Sequence, residues 1–390
     1  MFLDFTEDQE RLRAELRAYF SSLMTPELKK ELADTMGGEL HRRTVRQMGT
    51  DGWLGVGWPT EYGGRGFSAV EQHIFFEEAQ RAEAPLPLVT LNTVGPAIMQ
   101  FGTEEQRARC LPAILRGELF VAIGYSETEA GTDLASLATR AERDGDEWII
   151  NGQKMWTTGA EDADYVWLAV RTDPNAKKHK GITMFLVDMT LPGISVQPIW
   201  TLPGHRTNVT FYEDVRVPDS AVIGEVNQGW RLITTQLNYE RTSIVGTSTI
   251  NRLFDEVARY AAATPAPEGG TLLDRPWVRL NLARVRAETE ALRLSNARVA
   301  SMIAHDALDG PMASAVKVHG TEFTIEAYRL LLEIVGPVGL LAADSPGSIL
   351  HGHLERQWRR ATLTTFGGGV NEIQRDIIAM LALGMPPSPR

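Results

Sequence analysis

Glu240 occupies a position in the sequence where a carboxylate is unexpected. The stretch "WRLITTQLNYERTSIVG" spaces Ile233, Leu237 and Ile244 at offsets of four and seven, with Trp230 beside them, the stripe of a half-buried helix. Glu240 lies three residues after Leu237 and four before Ile244, so at about 100° per residue it belongs to that stripe. A carboxylate on an apolar face has to be paired or has to face a cavity, because burying a lone charge is costly. Two readings stand. One is a structural ion pair with Arg231 or Arg241, or a helix that ends in solvent. The other is a general base, since desolvation raises a carboxyl pKa toward neutrality.

A second unusual stretch closes the chain, "TLTTFGGGVNEIQRDIIAMLALGMPPSPR". Gly367, Gly368 and Gly369 stand between an apolar-rich stretch and an amphipathic helix. Three glycines in a row imply a tight turn or a close backbone approach to a ligand. The single cysteine, Cys110, excludes an internal disulfide and reads as a buried thiol in a reducing compartment rather than a nucleophile. No metal site is assigned.

The elements that must position these groups fall into three segments. A chain of 390 residues can form two or three domains, and 43% hydrophobic with 23% charged residues is ordinary for a globular protein. A net charge of −11 argues against a nucleic-acid binder but leaves room for an anionic small molecule in a local basic pocket. The start, "MFLDFTEDQERLRAEL", has no basic or apolar leader, and no apolar run reaches about 18 residues, so the expectation is a cytoplasmic protein with no membrane span. Thr6 and Gln9 form a capping-box signature ahead of Leu12, Leu16, Tyr19, Phe20 and Leu23. Helical patterns return after the glycine-rich "GWLGVGWPTEYGGRGFS". From about residue 121, short β-branched and aromatic runs separated by turn residues indicate an all-β segment, with a hairpin turn expected at Asn151-Gly152. After Gly229 the pattern is helical again, with one Pro/Gly-rich break, "TPAPEGG". No G-x-G-x-x-G links a strand to a helix, which argues against a Rossmann domain. The fold class is therefore α+β, mostly α, with segments at 1–120, 121–228 and 229–390.

"GYSETEAGTDLASLATRAERDGDEWIINGQKMWTTGAEDADYVWLAVRT" closely resembles the flavin-binding core of the acyl-CoA dehydrogenase family. "WPTEYGGRGFS", "FGTEEQRARCLPAILRGE", "DVRVP" with "GEVNQGW", "LNYER" and "GGGVNEIQRDIIA" resemble it in the right order from the first helix to the last. The resemblance implies an N-terminal helical domain, a middle barrel-like β-domain that binds FAD, and a C-terminal four-helix bundle. It also implies oxidation of an acyl-CoA thioester: a carboxylate removes the α-proton and the β-hydrogen leaves as hydride to the flavin. By motif position, Tyr125, Ser126, Gly131, Thr132, Trp156 and Thr158 line the FAD. The family's Glu-Pro-x-Ala-Gly-Ser-Asp becomes Glu127-Thr128-Glu129-Ala130-Gly131-Thr132-Asp133; Thr132 keeps the hydroxyl. Many members carry the base just before the Asn-Glu-Ile-Gln-Arg run, where this chain has Gly368. A second branch carries it in Leu-x-x-Glu-Arg, which "LNYER" matches with Glu240. Gly368 would then supply a backbone N–H to the thioester oxygen, Arg241, Gly367 and Gly369 would lie against the substrate, and the missing side chain would widen the pocket for a ring system.

Two motifs by which homotetrameric members reach a neighbour's FAD pyrophosphate are missing. "EGGTLLDRPWVRLNLARV" lacks Arg-x-x-Phe-Gly, and "EIVGPVG" places Glu333 where a glutamine is usual. A homologous second subunit would supply them. "LMTPE", "AYRLL", "TFGGG" and "NEIQRDIIAMLALGMP" resemble the base-bearing subunit of actinobacterial heterotetrameric dehydrogenases of cholesterol and bile-acid side chains. The resemblance thus implies a steroid side-chain acyl-CoA substrate, with an electron-transferring flavoprotein as acceptor. Short- or branched-chain acyl-CoA oxidation, an acyl-CoA oxidase and a non-catalytic scaffold subunit remain as alternatives.

Overall fold

The computed structural model describes residues 4–32, 37–243, 246–305 and 307–387; the side chains of 238–243 lie outside the description as well. In chain order the helices are α1 (Glu7–Leu23), α2 (Pro26–Leu32), α3 (Glu39–Thr50), α4 (Ala69–Arg81), α5 (Gly95–Phe101) and α6 (Glu104–Leu115). The strands follow as β1 (Val121–Gly124), β2 (Arg140–Asp144), β3 (Glu147–Met155), β4 (Tyr165–Arg171), β5 (Ile182–Asp188), β6 (Ile194–Trp200), β7 (Arg206–Pro218) and β8 (Val222–Ile223). The chain ends in α7 (Gly229–Ser243), α8 (Ser248–Ala263), α9 (Pro276–Ala304), α10 (Gly310–Val335), α11 (His353–Ala361) and α12 (Asn371–Ile377). Among the described residues no helix is long and apolar enough to cross a membrane.

The chain forms two compact units, one from residues 1–24, 68–84 and 241–390, the other from 25–67 and 85–240. In the first, α8 to α11 share a core that includes Leu253, Val257, Val285, Leu292, Ala327, Leu331 and Leu354. α1 starts at the expected capping box: the Thr6 side chain accepts from the Gln9 amide, and the Gln9 side chain accepts from the Thr6 amide at 3.0 Å. Glu71 caps α4 in the same way and also accepts a bond from the Gln9 side chain at 2.8 Å, which ties the two helix starts together. Further along, Glu78 is buried and paired with Arg13 and Arg17 at 3.0 and 2.6 Å.

The second unit holds the sheet, in the order β6-β7-β3-β2-β4-β5-β8, with β1 parallel to β4. Trp148, Ile150, Val166, Leu168, Phe185, Val187 and Tyr212 belong to its core. The turn expected at Asn151-Gly152 is absent: β3 runs straight through both residues. The β2–β3 hairpin turns instead at Gly145-Asp146, where Asp144 pairs with Glu147 and Gly145 has φ +63°. Gly152 sits at a bulge opposite β7, and a Cβ there would come within 2.7 Å of the Thr139 backbone. Asn-Gly serves a bulge as well as a turn, because both need a backbone that a side chain would obstruct. The helical region after Gly229 also breaks earlier than the sequence suggests. α7 ends at Ser243 and α8 begins at Ser248, ahead of the break at "TPAPEGG". Glu77 of α4 anchors the start of α8, accepting from the Thr247 amide at 2.9 Å and from the Ser248 hydroxyl at 2.5 Å.

Candidate active site

β1 and β2 lie end to end along one edge of β4: Gly124 pairs with Leu168, and Arg140 with Arg171. Residues 125–139 therefore leave the sheet and return to the same edge. A buried ion pair holds this loop. Lys154 of β3 is fully buried and donates to Glu127 Oε1 at 2.7 Å and to the Tyr125 carbonyl at 3.1 Å. Glu127 in turn accepts the Ala138 and Thr139 amides at 2.6 and 2.9 Å, so one carboxylate closes the loop from start to end. Gly124 lets β1 pack closely on β4, where a Cβ would come within 2.7 Å of Leu168 Cδ1 and 3.1 Å of Val166 Cγ2.

Burial pushes the Lys154 ammonium down to about 8, against the upward pull of Glu127. Burial alone would raise the Glu127 carboxyl, but Lys154 and the bonds from Ala138 and Thr139 hold it below its ordinary value. The lysine has a consequence for stability. Between about 8 and its ordinary 10.5 the folded protein binds fewer protons than the unfolded chain, so Lys154 makes stability rise with pH across that window. Denaturation of wild type and Lys154→Met over that range is expected to show the wild type gaining on the variant as pH rises. A constant or shrinking gap would show that Lys154 does not titrate there.

Tyr125 points inward from the same loop. Its hydroxyl donates to Gln236 Oε1 and accepts from Trp167 Nε1 at 3.0 Å. Gln236, on α7, is 1% exposed, and its Nε2 has no hydrogen-bond partner among the described residues. A buried amide donor left unpaired costs about 1–3 kcal/mol, which a bound ligand would relieve. The buried face of α7 runs through Gly229, Leu232, Ile233 and Gln236, with Leu237 half-buried at its edge. Glu240 follows Gln236 by one helical turn along α7. The backbone of Glu240 and Arg241 belongs to α7, while their side chains, and Ile244 altogether, lie outside the described residues. Gly229 lets the helix start against β5, where a Cβ would meet the Ile182 carbonyl oxygen at 2.9 Å. Asn227, with φ +65°, is fixed there by its amide bond to Thr183 Oγ1 at 2.7 Å.

Of the remaining flavin-site candidates, Ser126, Gly131 and Thr132 lie in the same loop, and Trp156 and Thr158 follow the end of β3. The Met155 amide bonds the Ser126 carbonyl at 2.8 Å, which docks the end of β3 onto the loop. The next residue, Trp156, has φ +65° and an indole 54% exposed, an outlying conformation for a bulky residue. Thr158 is exposed, its hydroxyl 3.0 Å from that of Thr207. Gly131 and Thr132 are exposed as well, and nothing lies within 4 Å of a Cβ built on Gly131.

In the other unit, Gly368 and Gly369 take left-handed backbone conformations, φ +67° and +96°, just before α12; Gly367 does not. Glu333 accepts from Asn281 Nδ2 at 3.0 Å and pairs with Arg329 one turn earlier on α10, which offsets its charge locally. Arg275 is tied to Glu268 at 2.9 Å, and Arg279 to Asp274 at 3.2 Å, so both arginines are engaged within their own turn. Cys110 is fully buried, and burial pushes its thiol up, the opposite of what a nucleophile requires. Among the described residues no cluster of metal-ligating side chains occurs.

Sequence reading missed Gln236 and Lys154. Gln236 had a signal, its spacing of three from Ile233 and four from Glu240, but a polar residue does not register in an apolar stripe. Lys154 had none, since a lysine in a strand is ordinarily a solvent-facing residue.

Residues 6–118, 122–215 and 227–383 match, respectively, the acyl-CoA dehydrogenase N-terminal, middle and C-terminal domain models. The chain is 50% identical to acyl-CoA dehydrogenase FadE26 of Mycobacterium tuberculosis, with 100% of both chains covered. Among solved structures, it matches the ChsE4-ChsE5 complex from Mycobacterium tuberculosis with 50% identity and a TM-score of 0.94, covering 100% of both chains. It matches the Tcur3481-Tcur3483 steroid ACAD with 48% identity and a TM-score of 0.94, again over 100% of both chains.

Proposed function

The chain belongs to the acyl-CoA dehydrogenase family, and on that premise we propose that it forms the α,β double bond of a steroid side-chain acyl-CoA as one of two unlike subunits. The observation that carries this reading is the placement of Glu240 on α7, one turn beyond the buried, half-satisfied Gln236. Glu240 takes the α-proton as general base. The Gly368 N–H receives the thioester oxygen as negative charge develops there; such a donor is worth about 10²–10³ in rate. Arg241, Gly367 and Gly369 contact the substrate, and the bare glycine backbone leaves room for a fused ring system.

The open space beside Gly131, the half-exposed Trp156 indole and the Gln236 amide, unpaired among the described residues, fit a large planar cofactor with an extended phosphate arm. FAD, when bound, supplies the two-electron acceptor for the β-hydrogen. Tyr125, Ser126, Gly131, Thr132, Trp156 and Thr158 would hold it, on the loop closed by Glu127 and Lys154. The steroid substrate is supported by whole-length likeness to the Tcur3481-Tcur3483 steroid ACAD. The unlike partner is supported by the engaged Arg275 and Arg279, which leave that turn poorly equipped to reach a neighbour's pyrophosphate. An electron-transferring flavoprotein completes the cycle as acceptor. Division of the chain at 1–120, 121–228 and 229–390 is supported by the three family matches.

Co-expression with a homologous second chain tests the reading. The pair is expected to hold FAD tightly and to convert steroid side-chain CoA thioesters, with an artificial acceptor, to products two hydrogens lighter. Tight stoichiometric FAD in a homotetramer of this chain alone would overturn the heteromeric assignment. Exclusive turnover of short or branched fatty thioesters would overturn the steroid one.

A further inference from the structure

Within the glycine stretch before α12, the Gly367 amide bonds back to the Leu363 carbonyl at 3.3 Å. Three consecutive glycines have the largest conformational freedom a chain offers, and a backbone N–H that must meet a developing negative charge has to be fixed beforehand. The fixing group is Lys317 of α10. Its side chain is fully buried, and its Nζ donates to the Thr365 carbonyl at 3.0 Å, the Gly369 carbonyl at 2.8 Å and Asn371 Oδ1 at 2.7 Å. Two of these oxygens bracket Gly367 and Gly368 in sequence, and the third opens α12. Asn371 is 3% exposed and held in turn: its Nδ2 donates to Thr321 Oγ1 at 3.0 Å and to Glu322 Oε1 at 3.1 Å. One α-helical turn on, Gln374 is fully buried and accepts from the Ser314 hydroxyl at 2.9 Å.

Burying an ammonium is costly wherever it occurs, and here it is directed at the two ends of a run of three glycines. Arg375 joins Asn371 and Gln374 in bonding to α10, paired to Glu322 at 2.8 Å, so these three residues of "NEIQR" act as a clasp between α10 and α12. Lys317 turns the carbonyls on both sides of Gly368 toward itself, and this sets the peptide planes between them.

We infer that Lys317 is a positioning residue for the oxyanion-binding amide of Gly368. It acts through the backbone, without touching the substrate. The inference rests on the reading of Gly368 given above.

The test uses Lys317→Met in the flavin-loaded protein assembled with its partner chain, with two separate readouts. Amide hydrogen exchange over residues 365–371 reports the clamp directly and needs no substrate. It is expected to speed up at least about 10-fold in the variant, while Lys317→Arg, which keeps a multivalent cation, restores protection. Turnover of a steroid side-chain CoA thioester reports the consequence. kcat is expected to fall by up to about 100-fold with little change in KM, the cost of a misplaced but still present donor. Deuterium at the α carbon should slow the variant more than the wild type, because proton removal has become harder. Unchanged loop exchange overturns the role of Lys317. Faster loop exchange with unchanged kcat and isotope effect instead overturns the reading of Gly368. If Lys317→Met does not fold, Lys317→Gln, too short to reach both carbonyls, gives the same two readouts.

Discussion

Glu240→Gln is expected to lower turnover by about 10²–10⁴ while leaving bound FAD unchanged. Glutamine keeps the size and polarity of the side chain, so it preserves the packing of α7 and removes only the capacity to take a proton. Steady-state turnover with an artificial acceptor, normalised to flavin content, measures the effect. The scaffold alternative predicts no change, because a chain that only completes a partner's site does not use its own base. The structural ion-pair reading predicts a stability loss with turnover per folded molecule preserved. The two quantities together separate the three cases.

Lys154→Met is expected to destabilise the protein by about 3–5 kcal/mol, the cost of leaving a buried carboxylate without its cation. Methionine is close to lysine in length and shape, so the loss comes from charge rather than from a cavity. Glu127 remains with the Ala138 and Thr139 amides, which satisfy hydrogen bonding but do not neutralise it. The loop at Tyr125 and Ser126 also loses the lysine bond to the Tyr125 carbonyl, so FAD retention is expected to fall with stability. Adding Glu127→Gln should recover part of the loss, since it removes the stranded charge. Urea denaturation of the single and double variants checks this. A single-variant loss below about 1 kcal/mol, or a double variant worse than the sum of its parts, would show that the pair does not hold the loop.

Element types were legible where the sequence carries a local signal. Thr6 with Gln9 marks a helix start because both partners of the capping box lie within one turn, and the structure shows both bonds. The strand-rich segment and the helical return at Gly229 follow from composition in the same way. Asn151-Gly152 misled because a hairpin turn and a bulge demand the same residue types. Only the pairing of β3 with both β2 and β7 decides between them, and that pairing is not local. The apolar face of α7 was legible, but the residue that gives it chemical character was not. Gln236 matters because Tyr125, more than a hundred positions earlier, reaches it. Lys154 and Lys317 share that property. Each is a buried lysine whose partners are set by tertiary contact, so neither announces itself in sequence. The glycines at 368 and 369 could be seen as a loop, and their need for positive φ explains the residue type. What holds the loop comes from α10, some fifty residues away.

Anaerobic mixing of the flavin-loaded protein with a steroid side-chain CoA thioester, with no acceptor present, tests the central claim most directly. Wild type and Glu240→Gln would be compared at equal flavin by the absorbance of the oxidised cofactor. The wild type is expected to bleach within one turnover to give a product two hydrogens lighter, and Glu240→Gln to stay oxidised on the same timescale. Bleaching of Glu240→Gln at the wild-type rate would contradict that claim.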